Sequence, residues 1–387
     1  MKVQNPRHGS SFDEFLKEEG ILDEVEDAAR KTRVVHFTNH IGFGGTEKTI
    51  YTFLKYLDRD KFDVSVAANS VDRGTGREAA IRALGVDVRV TSPKYLGKYL
   101  ADIKPDIFHI HREGGPEPGP ISQAKQAGVP VVIEHNVFGR YDKSPENEMI
   151  DCHIYVSYSC GWRYQMWAGH PLIGPKYQVL YNPVEVREYA AHGFEKRDFT
   201  RKSIGRIGRP DDTKWEFNFL EAIPLIVERF PDLEFHVIGV TPAVEEKLKK
   251  MGVWKNVRLH PLTTDEREIM EFYGKIGVLT HFASMGETFG LVLAEAMSAR
   301  LPIVTHHTPG ITDSAHTELV NDAYNGFIAR NAEIYADAVI YLLDHPDAAR
   351  KMGERGFEKA VASYEASAIA KGLETIYQLA LREKGIV

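Results

Sequence analysis

Short apolar strands alternate with helical periods in two successive series, and this rhythm constrains the fold more than any other feature of the chain. The first series places strands at Val34–Phe37, Phe62–Ala67, Val86–Val90, Ile107–Ile110, Val131–Glu134 and Cys152–Ser157. Helical periods fall between them, at about Thr46–Leu57, Glu78–Leu84, Leu96–Ile103 and Ile121–Ala127. Alternation of this kind predicts a parallel, doubly wound sheet with helices on both faces. The segment Val179–Val184, containing Tyr181-Asn182-Pro183, breaks the rhythm, and a second series follows. Its strands are Lys202–Ile207, Glu234–Ile238, Val257–Leu259, Val278–Thr280 and Ile303–Thr305, and its helices Trp215–Phe230 and Leu291–Ala299. At roughly 150 residues per domain, 387 residues accommodate two such units.

The organisation expected is an acidic leader over residues 1–32, a Rossmann-like α/β unit over 33–182, a second over 183–365, and a terminal helix over 366–387. In that last helix Ile369, Leu373, Ile376, Tyr377 and Ala380 share one face. The leader sets Phe12, Phe15, Leu16, Leu22, Val25 and Ala29 at mostly helical intervals. It reads as an amphipathic helix packed on the surface, as a disordered segment, or as a partner-binding helix. Between Phe12 and Arg30, eight acids against two bases account for −6 of the net charge of −7. The body is thus nearly neutral and has no basic tract, which excludes a nucleic-acid partner on charge grounds. No apolar run approaches the roughly 18 residues of a membrane span, and no apolar signal core opens the chain. Cys152 and Cys160 alone cannot build a disulfide framework or a four-cysteine zinc site. A reduced, cytoplasmic setting is the expectation.

Ligands of open α/β sheets bind beyond the carboxyl ends of the strands, so the loops after strands carry the chemistry. The densest is Ser284-Met285-Gly286-Glu287-Thr288-Phe289-Gly290-Leu291, which follows a strand and runs into the helix that contains Glu295. Glu287 and Glu295 lie eight residues apart, about two helical turns, and can share a face if the helix starts near Thr288. Glycines 286 and 290 admit close backbone approach, and free N–H groups at the helix start suit a phosphate. Carboxylates beside a phosphate site point to recognition of hydroxyls, as on a sugar or ribose.

This Glu-x7-Glu arrangement resembles that of the retaining glycosyltransferases of family 4, which have the GT-B fold. The resemblance extends over Gly42-Phe43-Gly44-Gly45-Thr46-Glu47, Ile133-Glu134-His135-Asn136, and Ser203-Ile204-Gly205-Arg206-Ile207 with Lys214. Val237-Ile238-Gly239, Leu301-Pro302-Ile303-Val304 and Asn325-Gly326-Phe327-Ile328 complete it. It implies that the terminal helix crosses back onto the first domain. It also implies that Glu295 binds ribose hydroxyls and Glu287 hydroxyls of the donor sugar. Backbone N–H groups around Phe289, Gly290 and Leu291, with Ser284 and Thr288 nearby, would hold the distal phosphate and sugar. Arg206 and Lys214, with Arg209 between them, would neutralise the diphosphate, and Gly239 would border the nucleotide. Gly42, Gly44 and Gly45 would close over the donor and border the acceptor pocket. His135 would stand near the transferred sugar, with His111 a further cleft candidate.

The implied reaction moves a sugar from a nucleoside diphosphate to an unidentified acceptor, with retention and without a metal. The proton of the acceptor would pass to the leaving phosphate. A sugar-nucleotide epimerase or hydrolase of the same fold is the alternative enzyme, and a non-catalytic sugar-nucleotide or glycan binder the alternative outside enzymes. His109 and His111 could form a metal pair, but no third ligand is evident near them. Asp58-Arg59-Asp60 has the Asp-x-Asp form of metal-dependent transferases, yet sits in a polar turn and reads as turn chemistry. No metal is therefore expected. Lys94-Tyr95-Leu96-Gly97-Lys98-Tyr99-Leu100, ending at Lys104, is basic, aromatic and amphipathic. It reads as a helix packed on the sheet, or as one resting on the inner face of an anionic membrane. Arg300 stands where the resembled family usually has glycine, and the helix dipole would favour it there.

Overall fold

The computed structural model describes residues 30–386 apart from 75, 113–114, 170, 172–173 and 309–312. The leader up to residue 29, and residues 309–312, lie outside the described residues.

The first apolar series becomes a sheet of seven parallel strands. These are β1 (Thr32–Ile41), β2 (Phe62–Val71), β3 (Asp87–Val90), β4 (Ile107–Arg112), β5 (Val131–Asn136), β6 (Cys152–Tyr155) and β7 (Tyr177–Val179). Their spatial order is β3-β2-β1-β4-β5-β6-β7. The chain winds outward from β1 to β3 and then returns to place β4 on the other side of β1, so the sheet reverses direction between β1 and β4. Alternate residues of β1 feed two cores. Val34 packs with Phe53, Ile107 and Ile133 on one face, and Val35 and Phe37 with Leu96, Phe108 and Val132 on the other. Burial on both faces explains why these strands are nearly continuous apolar runs.

The second series gives β8 (Ser203–Ile207), β9 (Glu234–Ile238), β10 (Val257–His260), β11 (Val278–Thr280), the two-residue β12 (Gly286–Glu287), β13 (Ile303–His306), the two-residue β14 (Asp313–Ser314) and β15 (Gly326–Ala329). Six of them form a parallel sheet in the order β10-β9-β8-β11-β13-β15, and β12 pairs with β14 apart from it. Here the reversal falls between β8 and β11. Four helices position the site: α1 (Gly45–Tyr56) after β1, α2 (Glu266–Gly274), α3 (Leu291–Ser298) after β12, and α4 (Ala366–Glu383) at the end of the chain.

The chain passes between the two units twice, side by side. Val184 N–H donates to Tyr364 O and Ala366 N–H to Val184 O, each at 2.8 Å. From there α4 turns onto the first sheet, where Leu373, Tyr377 and Leu381 are buried with Val34, Phe53 and Ile133. Glu374 fixes its placement by accepting from Asp58 N–H at 2.9 Å. The sequence periodicity of this helix is thus spent on the first sheet, across 316 residues of chain.

Two expectations change in detail. The helix expected over Trp215–Phe230 splits into a 3-10 stretch, Phe217–Glu221, and a short α-helix, Ala222–Arg229. Pro224 is the reason, because it lacks a backbone donor and is tolerated only in a first turn. Arg300 adopts a left-handed backbone with φ of 56°, so the glycine usual there answers a backbone demand rather than the helix dipole. Stacking of its guanidinium 3.7 Å over Phe357 and pairing with Glu354 offset that strain. The lysine-rich stretch forms a 3-10 turn, Pro93–Tyr95, and a helix, Leu96–Ile103, with Leu96 and Leu100 buried on the sheet. Among the described residues no helix is long and apolar enough to cross a membrane.

Candidate active site

The loops at the two reversal points face one another across a cleft of about 590 Å³. On its second-domain side, two glycines shape the backbone. Gly286 has φ of 70°, and a Cβ there would lie 1.7 Å from Asp313 O, so only glycine lets β12 and β14 meet. Gly290, with φ of 95°, starts α3 and offers no side-chain cap to its first N–H groups. The open end of that helix points its donors and positive dipole toward the cleft.

Glu287 emerges from β12 into this space. Lys214 Nζ reaches both its carboxylate oxygens at 3.0 Å, and His281 Nε2 lies 3.2 Å from Oε1. Burial alone would raise the Glu287 pKa, but Lys214 and His281 outweigh it and hold the group below the usual carboxylate range. Arg206, at the end of β8, is only 2% exposed. Its guanidinium rests 4.0 Å over the ring of buried Trp215 and donates to Phe282 O at 3.2 Å. Burial lowers its pKa to about 10, so it remains a cation at neutral pH. Among the described residues it forms no ion pair, and its Nε is buried without a partner. A buried, uncompensated cation is costly unless an anion meets it.

Glu295 lies one turn along α3 and also lines the cleft. Its Oε1 accepts from Lys48 Nζ of α1 at 2.7 Å, and its Oε2 lies 2.9 Å from the Tyr273 hydroxyl of α2.

The first-domain side carries the glycine loop and a row of histidines. Gly44 and Gly45 line the cleft, with Gly45 against Leu291. Parallel register places His36 of β1 opposite His109 of β4, and His111 of β4 opposite His135 of β5. The rings follow one another at centroid distances of 4.8 Å, 4.4 Å and 5.1 Å from His36 through His109 and His111 to His135. His36 Nδ1 and His111 Nε2 are 3.0 Å apart, and the Tyr377 hydroxyl of α4 lies 2.7 Å from His109 Nδ1. Burial pushes His36 down to about 3 and His135 to about 4, and His109 and His111 well below the ordinary value. All four are neutral at pH 7, the form that binds metals.

This row corrects the expectation of no metal. His109 and His111 do have a third partner: His36 can bring a ring nitrogen within 4.8 Å of one from each of them. The three form a buried cluster able to hold a metal ion. No local pattern reveals it, since only the pairing of β1 with β4 puts His36 there. Asp58-Arg59-Asp60, in contrast, is a turn in which Asp58 accepts from Asp60 N–H at 3.0 Å and pairs with Lys61 at 2.5 Å.

The structure gathers Gly44, Gly45, His111, His135, Arg206, Arg209, Lys214, Glu287, Thr288, Phe289, Gly290, Leu291 and Glu295 around one cleft. The Phe289 side chain points into the core beside Tyr181 and Tyr364, leaving only its backbone for the cleft. Gly42, Gly239 and Ser284 stand behind the lining. Gly42 packs against His40 and Asp72, and Gly239 against Gly208 O. Ser284 donates to Thr213 O at 3.0 Å, tying the Lys214 loop to the loop before α3. Sequence reasoning missed His281, Asp313 and Lys48. His281 carried the signal used elsewhere, a polar residue directly after a strand, whereas Lys48 offered only its place in the helix after the glycine loop.

Comparison with known proteins places this geometry. The chain aligns over 89% of its length with the crystal structure of Anabaena Alr3699/HepE in complex with UDP and glucose, at TM-score 0.70 and 13% identity, covering 98% of that chain. A glycosyltransferase from Rickettsia africae gives 0.72 at 14% identity, over 91% of this chain and 99% of that one. The chain has the GT-B fold. Residues 192–359, in the second half of this GT-B protein, match the sequence profile of the family described as glycosyl transferases group 1. A trehalose synthase of Pyrococcus horikoshii is 26% identical over 166 residues, 40% of this chain and 39% of its own. An alpha-D-kanosaminyltransferase of Streptomyces kanamyceticus is 28% identical over 180 residues, 45% of this chain and 44% of its own. The match thus spans less than half the length of these two relatives. A phosphatidyl-myo-inositol mannosyltransferase of Mycobacterium tuberculosis is 24% identical over 300 residues, 73% of this chain and 75% of its own.

Proposed function

We propose that the protein is a retaining glycosyltransferase that moves a sugar from a nucleoside diphosphate to a hydroxyl acceptor. The observation that carries this reading is Arg206, a buried cation without a carboxylate partner, set beside the Lys214–Glu287 pair and the uncapped start of α3. Such a group fits an anion that gains charge as its bond to the sugar breaks. In this reading Arg206 and Lys214 hold the diphosphate, with Arg209 at the exposed edge, and Glu295 receives the ribose hydroxyls. Glu287 binds hydroxyls of the sugar, releasing Lys214 toward the phosphate. His135, neutral and buried, hydrogen-bonds the sugar from the first domain. The acceptor oxygen forms the new bond to the anomeric carbon on the face the diphosphate leaves, and the leaving phosphate oxygen takes the acceptor proton. The names of the relatives, and the UDP and glucose in the Anabaena structure, support a nucleotide-sugar donor.

A ligand at hundredfold excess over its Kd stabilises a protein by about 2.7 kcal/mol. A thermal-shift screen of UDP, GDP, ADP and their sugars should therefore single out one nucleotide, and NMR of the glycoside formed should show the donor's anomeric configuration. Absence of any nucleotide-dependent shift would sink the reading, and an inverted product would sink its retaining step.

A further inference from the structure

The carboxylate assigned to the ribose is not held by its own domain alone. Lys48, in the first turn of α1, crosses the cleft and places Nζ 2.7 Å from Glu295 Oε1 and 2.5 Å from Glu266 Oε2. Its side chain is 9% exposed, and those of Glu295 and Glu266 are 5% and 18% exposed. Arg77, from the same domain as Lys48, adds a contact to Glu266 at 3.2 Å. On the other oxygen of Glu295, the Tyr273 hydroxyl stands 2.9 Å away. Both carboxylate oxygens are thus fixed from outside α3, Oε2 by the second domain and Oε1 by the first.

We propose that Lys48 is a positioning residue for nucleotide recognition, which orients Glu295 so that its remaining lone pairs face the two ribose hydroxyls. This inference rests on the reading of Glu295 given above. A carboxylate offers about four acceptor positions, so one lysine and one tyrosine leave room for two hydroxyl donors. Lys48 also sets an ammonium group against the buried carboxylate, the pairing that a buried charge requires. Because Lys48 belongs to the first domain and Glu295 to the second, the ribose site is complete only when the two halves are docked. Recognition of the nucleotide and closure of the cleft are then one event.

The test compares binding of UDP, GDP and ADP with that of their 2′,3′-dideoxy forms, by calorimetry, for the nucleotide that binds tightest. The unmodified protein should prefer the ribose form by about 150-fold, the lower end of the scale for two hydrogen bonds to a charged group. In Lys48→Met this preference should fall to about threefold, with affinity for the dideoxy form little changed, and Lys48→Arg should restore most of it. Lys48→Met leaves Glu295 without its cation and Glu266 with Arg77 alone, so the Lys48→Met/Glu266→Gln double variant provides a second, less strained measurement. Loss of packing alone would weaken both nucleotide forms equally and overturn the proposal. So would tighter UDP, GDP or ADP binding in Lys48→Met, which would make Lys48 a competitor of the ribose. Glu295→Gln separates the levels. If it abolishes the preference while Lys48→Met keeps it, only the role of Lys48 fails. If Glu295→Gln keeps the preference, the ribose reading itself fails.

Discussion

Replacing Arg206 with Gln should reduce kcat by about 10³-fold while changing donor KM far less. A preorganised donor aimed at developing charge contributes about 2.7–4 kcal/mol to the transition state, and Arg206 has the features of such a group. It is buried, unpaired with any carboxylate among the described residues, and fixed by Trp215 and Phe282 rather than by an anion. It therefore has no ion pair to break when charge develops beside it. Lys214 differs: it is bound to Glu287 at 3.0 Å, so Lys214→Ala should affect donor binding as well as turnover, and should leave Glu287 paired only with His281. Arg206→Lys should recover little, because a point charge cannot reproduce the planar stack over Trp215 or the guanidinium fork. Steady-state kinetics on the folded variants decides the matter. A kcat within tenfold of the parent in Arg206→Gln would remove Arg206 from the mechanism.

Mild acid should destabilise the second domain, with two buried histidines alone accounting for about 4 kcal/mol between pH 7 and pH 5. His306 and His316 sit beneath the donor loops, facing His281, Arg206 and Glu287. Burial lowers His306 to about 4 and His316 to about 3. His306 Nε2 accepts from Ala283 N–H at 3.0 Å, a bond that protonation would break, and His316 Nε2 donates to His306 O at 2.8 Å. Unfolded histidine takes up its proton near pH 6.5, whereas these two take it up only near their depressed values. Their stabilisation is therefore full above pH 6.5 and is lost as pH falls toward the folded values. Each loses about 1.4 kcal/mol per pH unit in that window, or about 2 kcal/mol by pH 5. Urea denaturation at pH 7, 6 and 5 measures the slope, and His316→Asn should reduce the loss between pH 7 and pH 5 by about 2 kcal/mol. A flat profile, or a slope unmoved by that substitution, would show that these rings are not buried neutral.

Much of the site was legible because its parts are local. The strand-to-helix turns at Gly44-Gly45 and at Gly286–Leu291 are short-range patterns that hold Glu287 just before α3 and Glu295 within it. Arg206 lies at the end of one strand and Lys214 in the loop after it. Where the reading erred, a local detail or a distant partner was decisive. Pro224 restarted a helix, and the backbone angle at Arg300 outweighed its charge.

What the sequence determined by itself was the alternation of elements, hence two parallel doubly wound units, and the loops where their polar residues collect. Hydrophobic periodicity and strand-end glycines encode these through contacts between near neighbours. Tertiary structure alone decided which strands pair, and so which side chains share a face. The pairing of β1 with β4 set His36 against His109 and turned an unremarked core residue into part of a possible metal cluster. Docking of the two domains brought Lys48 onto Glu295 across 247 residues, and α4 onto the first sheet. Register and docking are properties of whole surfaces, fixed by the sum of many packing contacts, and no spacing along the chain records them.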